Sequence, residues 1–210
     1  MNAVALRLAL GGFTLAGCLY VTVEETDGFR VLTSARQPAV RALRHPMFEA
    51  PLRTSQAQLV SALPVPGALR VVEITYERCR TICTVQGGSL AEVFRALYRE
   101  VSAQRLHFVS LSVDPGDCPA GIARRVRRLS AGAQGWDGLC VKDDAALALL
   151  AQRIGVVALR DDRRDYRHTV GVFLVDADGR VLAFEPSLNK QTLVLAIQEA
   201  LQHHVAAKNG

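Results

Sequence analysis

Ala68 to Gly88 reads ALRVVEITYERCRTICTVQGG. Its opening run, Ala68 to Tyr76, is apolar and β-branched, which predicts a buried strand. Two of the chain's five cysteines, Cys79 and Cys83, follow at once with three residues between them. Cys79, Cys83, Gly87, Leu90, Phe94, Leu97 and Val101 are spaced by threes and fours, so all seven share one face of a following helix. That helix starts either at the cysteines or at Ser89, where Ser89 and Glu92 form a capping box. Gly87 and Gly88 each weaken it by about 1 kcal/mol. In both cases strand, cysteine pair and helix follow one another. This is where α/β folds place reactive groups, and a helix N-terminus favours thiolate.

Further along, LHFVSLSVDP (Leu106 to Pro115) predicts a second apolar strand and CPAGIARRVRRLSAG a helix. WDGLCV predicts a short strand, and DDAALALLAQRIGV a helix capped by Asp143 or Asp144. HTVGVFLVDADGRVLAFEP has the form of a hairpin turning at Asp178-Gly179, with His168 at its start. KQTLVLAIQEALQHH predicts an amphipathic C-terminal helix. The order β-α-β-α-β-α-β-β-α fits a mixed central sheet flanked by helices, its early strands parallel and its last two antiparallel. That is a thioredoxin-like arrangement in a single domain, without repeats. Upstream, TSQAQLVSAL suggests a capped helical turn and LPVPG a turn.

The N-terminus has a different character. One basic residue, Arg7, precedes an uncharged apolar run from Leu8 to Val23, and acidic Glu24, Glu25 and Asp27 follow. The run reads as a membrane anchor that exports the rest of the chain. LAGC (Leu15 to Cys18) reads alternatively as a lipobox with Cys18 as the lipidated residue; no A-x-A cleavage site follows. The expected organisation is an anchor or lipoprotein signal over 1–25, a juxtamembrane stalk over 26–46 and the thioredoxin-like domain over 47–206. The expected location is the bacterial inner membrane, with the domain facing the periplasm.

Composition excludes some classes. Of 210 residues, 50% are apolar and 21% charged, enough to bury a full core. The net charge of +5 is modest. Arg124, Arg125, Arg127 and Arg128 cluster on a predicted helix, where they read as a solvated face. No basic stripe is interleaved with aromatics, so a nucleic-acid partner is not expected.

In an oxidising compartment an exposed thiol pair forms a disulfide unless a reductant or a metal protects it. Two thiolates at i and i+4 lie close enough to share one soft ion, and copper(I) accepts two or three soft ligands where zinc usually takes four. His168, after RRDYR, is the best candidate for a third ligand; the alternative is an ordinary loop histidine. His107 begins a buried strand at the wrong end and reads as structural. His203 and His204 lie on the C-terminal tail and read as solvated.

Taken together, VVEITYERCRTIC, VSLSVDPGDCPA, WDGLCVKDDAALALLAQRIGV and YRHTVGVFLVDADGRVLAFEP resemble the Sco/SenC family from about Leu69 to Leu201. The resemblance implies a membrane-tethered, thioredoxin-fold protein that binds copper through Cys79, Cys83 and His168. It also implies delivery of that copper to the binuclear copper site of cytochrome c oxidase or to another periplasmic copper or thiol protein. This chain departs from the family where prolines commonly follow each cysteine: Arg80 and Thr84 stand there, freeing backbone N–H groups and adding charge. A commonly threonine position after VDPxD is Cys118. In this fold Cys118 and Cys140 lie on or beside neighbouring strands, which suggests a structural disulfide; two isolated buried cysteines are the alternative.

Thiol–disulfide exchange through Cys79 and Cys83 is a competing function, as is redox or copper sensing. A thiol peroxidase is disfavoured, because TYER rather than a Thr/Pro arrangement precedes Cys79.

Overall fold

The computed structural model describes residues 50–60, 67–79, 81–154, 158–160 and 166–209. The expected anchor, its Cys18 lipobox, the stalk and Arg80 lie outside the described residues. In chain order the elements are β1 (Leu52–Thr54), β2 (Leu59–Val60), β3 (Leu69–Thr75), α1 (Ile82–Ala96), α2 (Tyr98–Ser102) and β4 (Leu106–Ser112). A 3-10 turn (Pro115–Asp117), α3 (Ala120–Ser130), β5 (Trp136–Val141) and α4 (Asp144–Ile154) follow. The chain continues with β6 (Ala158–Arg160), β7 (Tyr166–His168), β8 (Val172–Val175), β9 (Val181–Glu185) and α5 (Lys190–Asn209).

Seven strands form one sheet in the order β2-β1-β5-β4-β3-β8-β9. The two longest strands, buried at every residue, lie at its middle: β3 pairs parallel with β4 from Leu69↔Leu106 to Thr75↔Ser112. β5 runs parallel to β4, whereas β8 joins β3 antiparallel and carries β9 with it. Strands covered on both faces read as continuous apolar runs, which explains why β3 and β4 were the plainest strands in the sequence. This is the mixed α/β, thioredoxin-like arrangement expected from the element order.

The core is centred on the face covered by α1. Phe94 meets the rings of Phe108 and Trp136 at 5.2 and 5.3 Å, and Leu69, Val71, Leu90, Val172, Leu193 and Ile197 enclose them. The cysteine periodicity continues into this core, since Cys83, Gly87, Leu90, Phe94, Leu97 and Val101 are all buried. Asp143 caps α4 by accepting from Ala146 N at 2.9 Å. Asn189 caps α5 by accepting from Gln191 N at 2.9 Å. In the β8–β9 turn, Asp176 Oδ1 accepts from the N–H groups of Asp178 and Arg180, and Gly179 takes a φ of +84°. The turn is thus fixed by a side chain as well as by the glycine.

One open alternative is decided and three local expectations are corrected. α1 begins at Ile82 and runs through Gly87 and Gly88 without restarting at Ser89, because the packing of Leu90, Val93 and Phe94 outweighs the glycine propensity. Thr54 to Gln58 is the turn of a β1–β2 hairpin: Thr54 Oγ1 accepts from Gln56 N and Gln58 N, which favours a turn over a helix. His168 ends β7 in a separate two-stranded sheet with β6 and does not open the β8–β9 hairpin. Arg125 points inward and is 7% exposed, unlike its exposed neighbours Arg124, Arg127 and Arg128.

Candidate metal centre

β3 ends at Thr75, and the chain turns through Tyr76–Cys79 into α1, with Cys79 N donating to Tyr76 O at 3.2 Å. The turn is tied down by Asp117, whose Oδ2 accepts from Glu77 N at 2.7 Å and also from Ser112 Oγ. Glu77 in turn pairs with Arg124, and Arg78 faces Asp114 at 4.0 Å. Burial is the largest influence on Asp117 and raises its carboxyl above the ordinary carboxylate range, although both hydrogen bonds oppose the shift.

Cys83 occupies the first turn of α1 and is fully buried, while Cys79 sits just outside it and is half-buried. Cys83 N donates to Cys79 Sγ at 3.3 Å, so the outer sulfur takes the place of a helix cap where positive backbone dipoles converge. The two sulfurs are joined as a disulfide, with Cα atoms 5.6 Å apart.

His168 reaches the pair from β7. Its Nε2 lies 3.2 Å from Cys83 Sγ, and its Nδ1 lies 2.8 Å from Thr169 O. A carbonyl only accepts, so Nδ1 carries the proton and Nε2 directs its lone pair at the sulfurs. Burial lowers the His168 pKa from the ordinary histidine value, with the Thr169 bond and Glu73 acting the other way and Arg125 reinforcing the shift. The imidazole is therefore neutral at neutral pH and free to act as a donor. Tyr76 stands edge-on to the His168 ring at 5.7 Å and to Tyr166 at 5.4 Å, forming an aromatic wall beside the site.

The ligand atoms of Cys79, Cys83 and His168 lie within 4.8 Å of one another. Among the described residues this is the one group of three such side chains that close. Two sulfurs and a nitrogen, with no carboxylate, suit a soft ion in a low coordination number. In the disulfide form the two sulfurs are bonded to each other, so the group offers two thiolates to an ion only once that bond is reduced. Cys118 and Cys140 are elsewhere, joined as a disulfide with Cα atoms 6.0 Å apart, and Cys140 is fully buried. His107 contacts Asp137 at 2.9 Å and His204 contacts Gly67 O at 3.2 Å, so neither joins the group.

Residues beneath the site escaped the sequence reading. Glu73, in the middle of β3, is 1% exposed and forms a fork with Arg125: Nε to Oε1 at 2.9 Å and Nη2 to Oε2 at 2.8 Å. Ser110 Oγ donates to Glu73 Oε1, and Trp136 Nε1 donates to Ser110 Oγ at 3.0 Å. Arg125 Nη2 also donates to Cys83 O at 3.1 Å. Gln86 Nε2 donates to Gly171 O at 3.2 Å and lies 3.5 Å from Glu73 Oε2. One signal was present: an acid inside VVEIT is a buried charge that needs a partner. Which of four clustered arginines supplies that partner is a tertiary fact.

Fold and site together define a class: a mixed α/β domain with two cysteines and a histidine gathered at the carboxyl end of its central strands. The sequence profile of the SCO1/SenC family matches residues 47–202, and the chain belongs to that family. No curated protein sequence matches significantly. Among solved structures, the chain is similar to a SCO1/SenC family lipoprotein from Bacillus anthracis str. Ames at 16% identity and a TM-score of 0.67, covering 81% of this chain and 99% of that one. It is similar to copper-bound ScoI of Bradyrhizobium japonicum at 24% identity and a TM-score of 0.58, covering 75% and 99%. For copper-bound yeast Sco1 the identity is 17% and the TM-score 0.61, covering 77% and 89%. At these identities the likeness is one of fold.

Proposed function

We propose that this protein is a copper metallochaperone that holds copper(I) through Cys79, Cys83 and His168. The observation that carries the reading is the convergence of three soft donors within 4.8 Å, one of them a neutral imidazole already oriented by Thr169. Membership of a family whose solved structures include copper-bound ones supports it.

The disulfide between Cys79 and Cys83 is first reduced by a dithiol, which gives up two electrons and two protons and becomes a disulfide itself. Binding of copper(I) then releases the two thiol protons, and His168 Nε2 donates without losing one. Backbone dipoles at the start of α1 stabilise the thiolates. Half-buried Cys79 is the side from which an acceptor's thiolates displace the chain's ligands one at a time, while buried Cys83 is released last. The proposal extends to tethering by residues 1–25, a domain facing the periplasm, and delivery to the binuclear copper site of cytochrome c oxidase.

Equilibrium copper(I) titration of the reduced protein is the test. One copper per chain is expected, and His168→Ala is expected to weaken binding by more than about tenfold. Unchanged affinity would remove His168 from the site. Thiol–disulfide exchange with an acceptor is a second reading, favoured by the joined state of the two sulfurs. It requires His168→Ala to keep exchange activity while Cys79→Ser and Cys83→Ser each abolish it.

A further inference from the structure

Cys83 and His168 belong to segments distant in sequence, and neither backbone is held to the other by a strand ladder. What joins them lies underneath. Arg125 grips the carbonyl of Cys83 at 3.1 Å, and Gln86 grips the carbonyl of Gly171, three residues beyond His168, at 3.2 Å. Both side chains meet on Glu73, whose strand β3 is an interior strand of the sheet, between β4 and β8. We propose that Glu73, Arg125 and Gln86 are positioning residues that fix the separation of the Cys83 sulfur and the His168 ring. For its consequence on copper the inference rests on the reading above.

Three physical arguments separate this role from simple stabilisation. A buried ion pair is a weak stabiliser, because desolvating two charges offsets most of their attraction, and apolar replacements are often neutral or better. A fork with a third hydrogen bond to a ligand residue's carbonyl is, however, a strong constraint on where that residue sits. Gln86 adds a second sign. Both of its neighbours, a carbonyl and a carboxylate, only accept, so its amide must turn Nε2 toward them and leave Oε1 buried without a partner among the described residues. An unsatisfied buried acceptor costs about 1–3 kcal/mol. A leucine there avoids that cost but cannot hold Gly171. α1 also carries Gly87 where Arg125 crosses: a Cβ at that position would stand 3.0 Å from Arg125 Nη2. The sequence leaves room for this guanidinium.

The test uses the full chain with three changes: the double variant Glu73→Met/Arg125→Met, which removes both charges together, Arg125→Lys, and Gln86→Leu. Each is measured for thermal stability, for the His168 ring tautomer by long-range ¹H–¹⁵N correlation in metal-free protein, and for copper(I) affinity with and without His168→Ala. Positioning predicts that the double variant and Gln86→Leu unfold near the wild-type temperature, yet the His168 ring loses its single Nδ1–H tautomer. Copper(I) affinity falls by about tenfold or more. In these backgrounds His168→Ala costs little further, because the ring has already left the site. Arg125→Lys retains the charge on Glu73 but loses the fork, and is expected to fall between the two.

A stable variant with an unchanged tautomer and an unchanged His168→Ala effect would overturn the proposal. If the double variant does not fold, Gln86→Leu and Arg125→Lys decide by the same measurements. If wild type binds no copper, the copper reading fails by itself, and the tautomer in metal-free protein still decides the positioning role.

Discussion

Asp117 shows how one buried carboxylate shapes a site it does not enter. It accepts the Glu77 N–H and the Ser112 hydroxyl, and so fixes the turn leading to Cys79. Burial raises its pKa, so over the range between its ordinary and raised values the folded chain binds more protons than the unfolded one. Its contribution to stability is therefore greatest at low pH and declines as pH rises through the raised value. Asp117→Asn keeps an acceptor and removes the charge; chemical denaturation is expected to show stability at neutral pH at least equal to wild type and a flatter pH dependence. Asp117→Ala leaves the Glu77 N–H and Ser112 hydroxyl unsatisfied and is expected to destabilise by about 1–3 kcal/mol. At this scale the cysteines and His168 were visible as candidates from residue type and spacing. Glu73 and Asp117 were not, because an acid's partner has no address in the sequence.

At the scale of elements, α1 is decided by what packs on it. Gly87 and Gly88 are neighbours of equal propensity in opposite surroundings. A Cβ at Gly88 meets nothing within 4 Å, whereas one at Gly87 meets Arg125 Nη2 at 3.0 Å and Leu129 Cδ2 at 3.1 Å. Gly88→Ala is expected to raise the melting temperature, gaining up to about 1 kcal/mol of helix propensity. Gly87→Ala is expected to lower it, since Arg125 is pinned at Glu73 and at Cys83 O and cannot yield. Equal gains at both positions would refute this account of α1–α3 packing. The Cys118–Cys140 bridge joins the 3-10 turn to β5 across a sequence separation of 22. Loop-closure entropy for that length amounts to about 3 kcal/mol. Replacing both cysteines by alanine is expected to lower the denaturation midpoint correspondingly, with the far-ultraviolet circular dichroism unchanged.

Across the whole molecule, sheet order sets a gradient of stability. β3 and β4 are paired on both sides and buried along their full length, whereas β2 and β9 are edges. Amide hydrogen exchange is expected to be slowest in β3 and β4, intermediate in β5 and β8, and fastest in β2 and β9. The site hangs from the most protected strand, β3, through the Tyr76–Cys79 turn, and from the less protected two-stranded β6–β7 sheet through His168. Exchange in β7 as slow as in β3 would contradict this division between a rigid thiol half and a more mobile histidine half.

The apolar runs of β3 and β4, the period of α1 and the Asp178-Gly179 turn were legible because each is a local pattern dictated by burial or by backbone geometry. Cys79 and Cys83 were legible for the same reason: a strand end and an i, i+4 spacing already place two sulfurs on one side. The sequence determined the order of the longer elements, and with it a mixed sheet whose first long strand ends in a cysteine pair. It misread Thr54–Gln58, where a hydroxyl-capped turn resembles a helix start, and it missed β6–β7, whose strands are three residues each. Only the tertiary structure decided which charge Glu73 meets, which arginine turns inward, and that β7 carries His168 to within 3.2 Å of Cys83. Those facts join residues 52 and 85 positions apart. Short-range preferences bias local conformation, but contacts at such separations arise only once the sheet has closed and burial has made every charge find its partner.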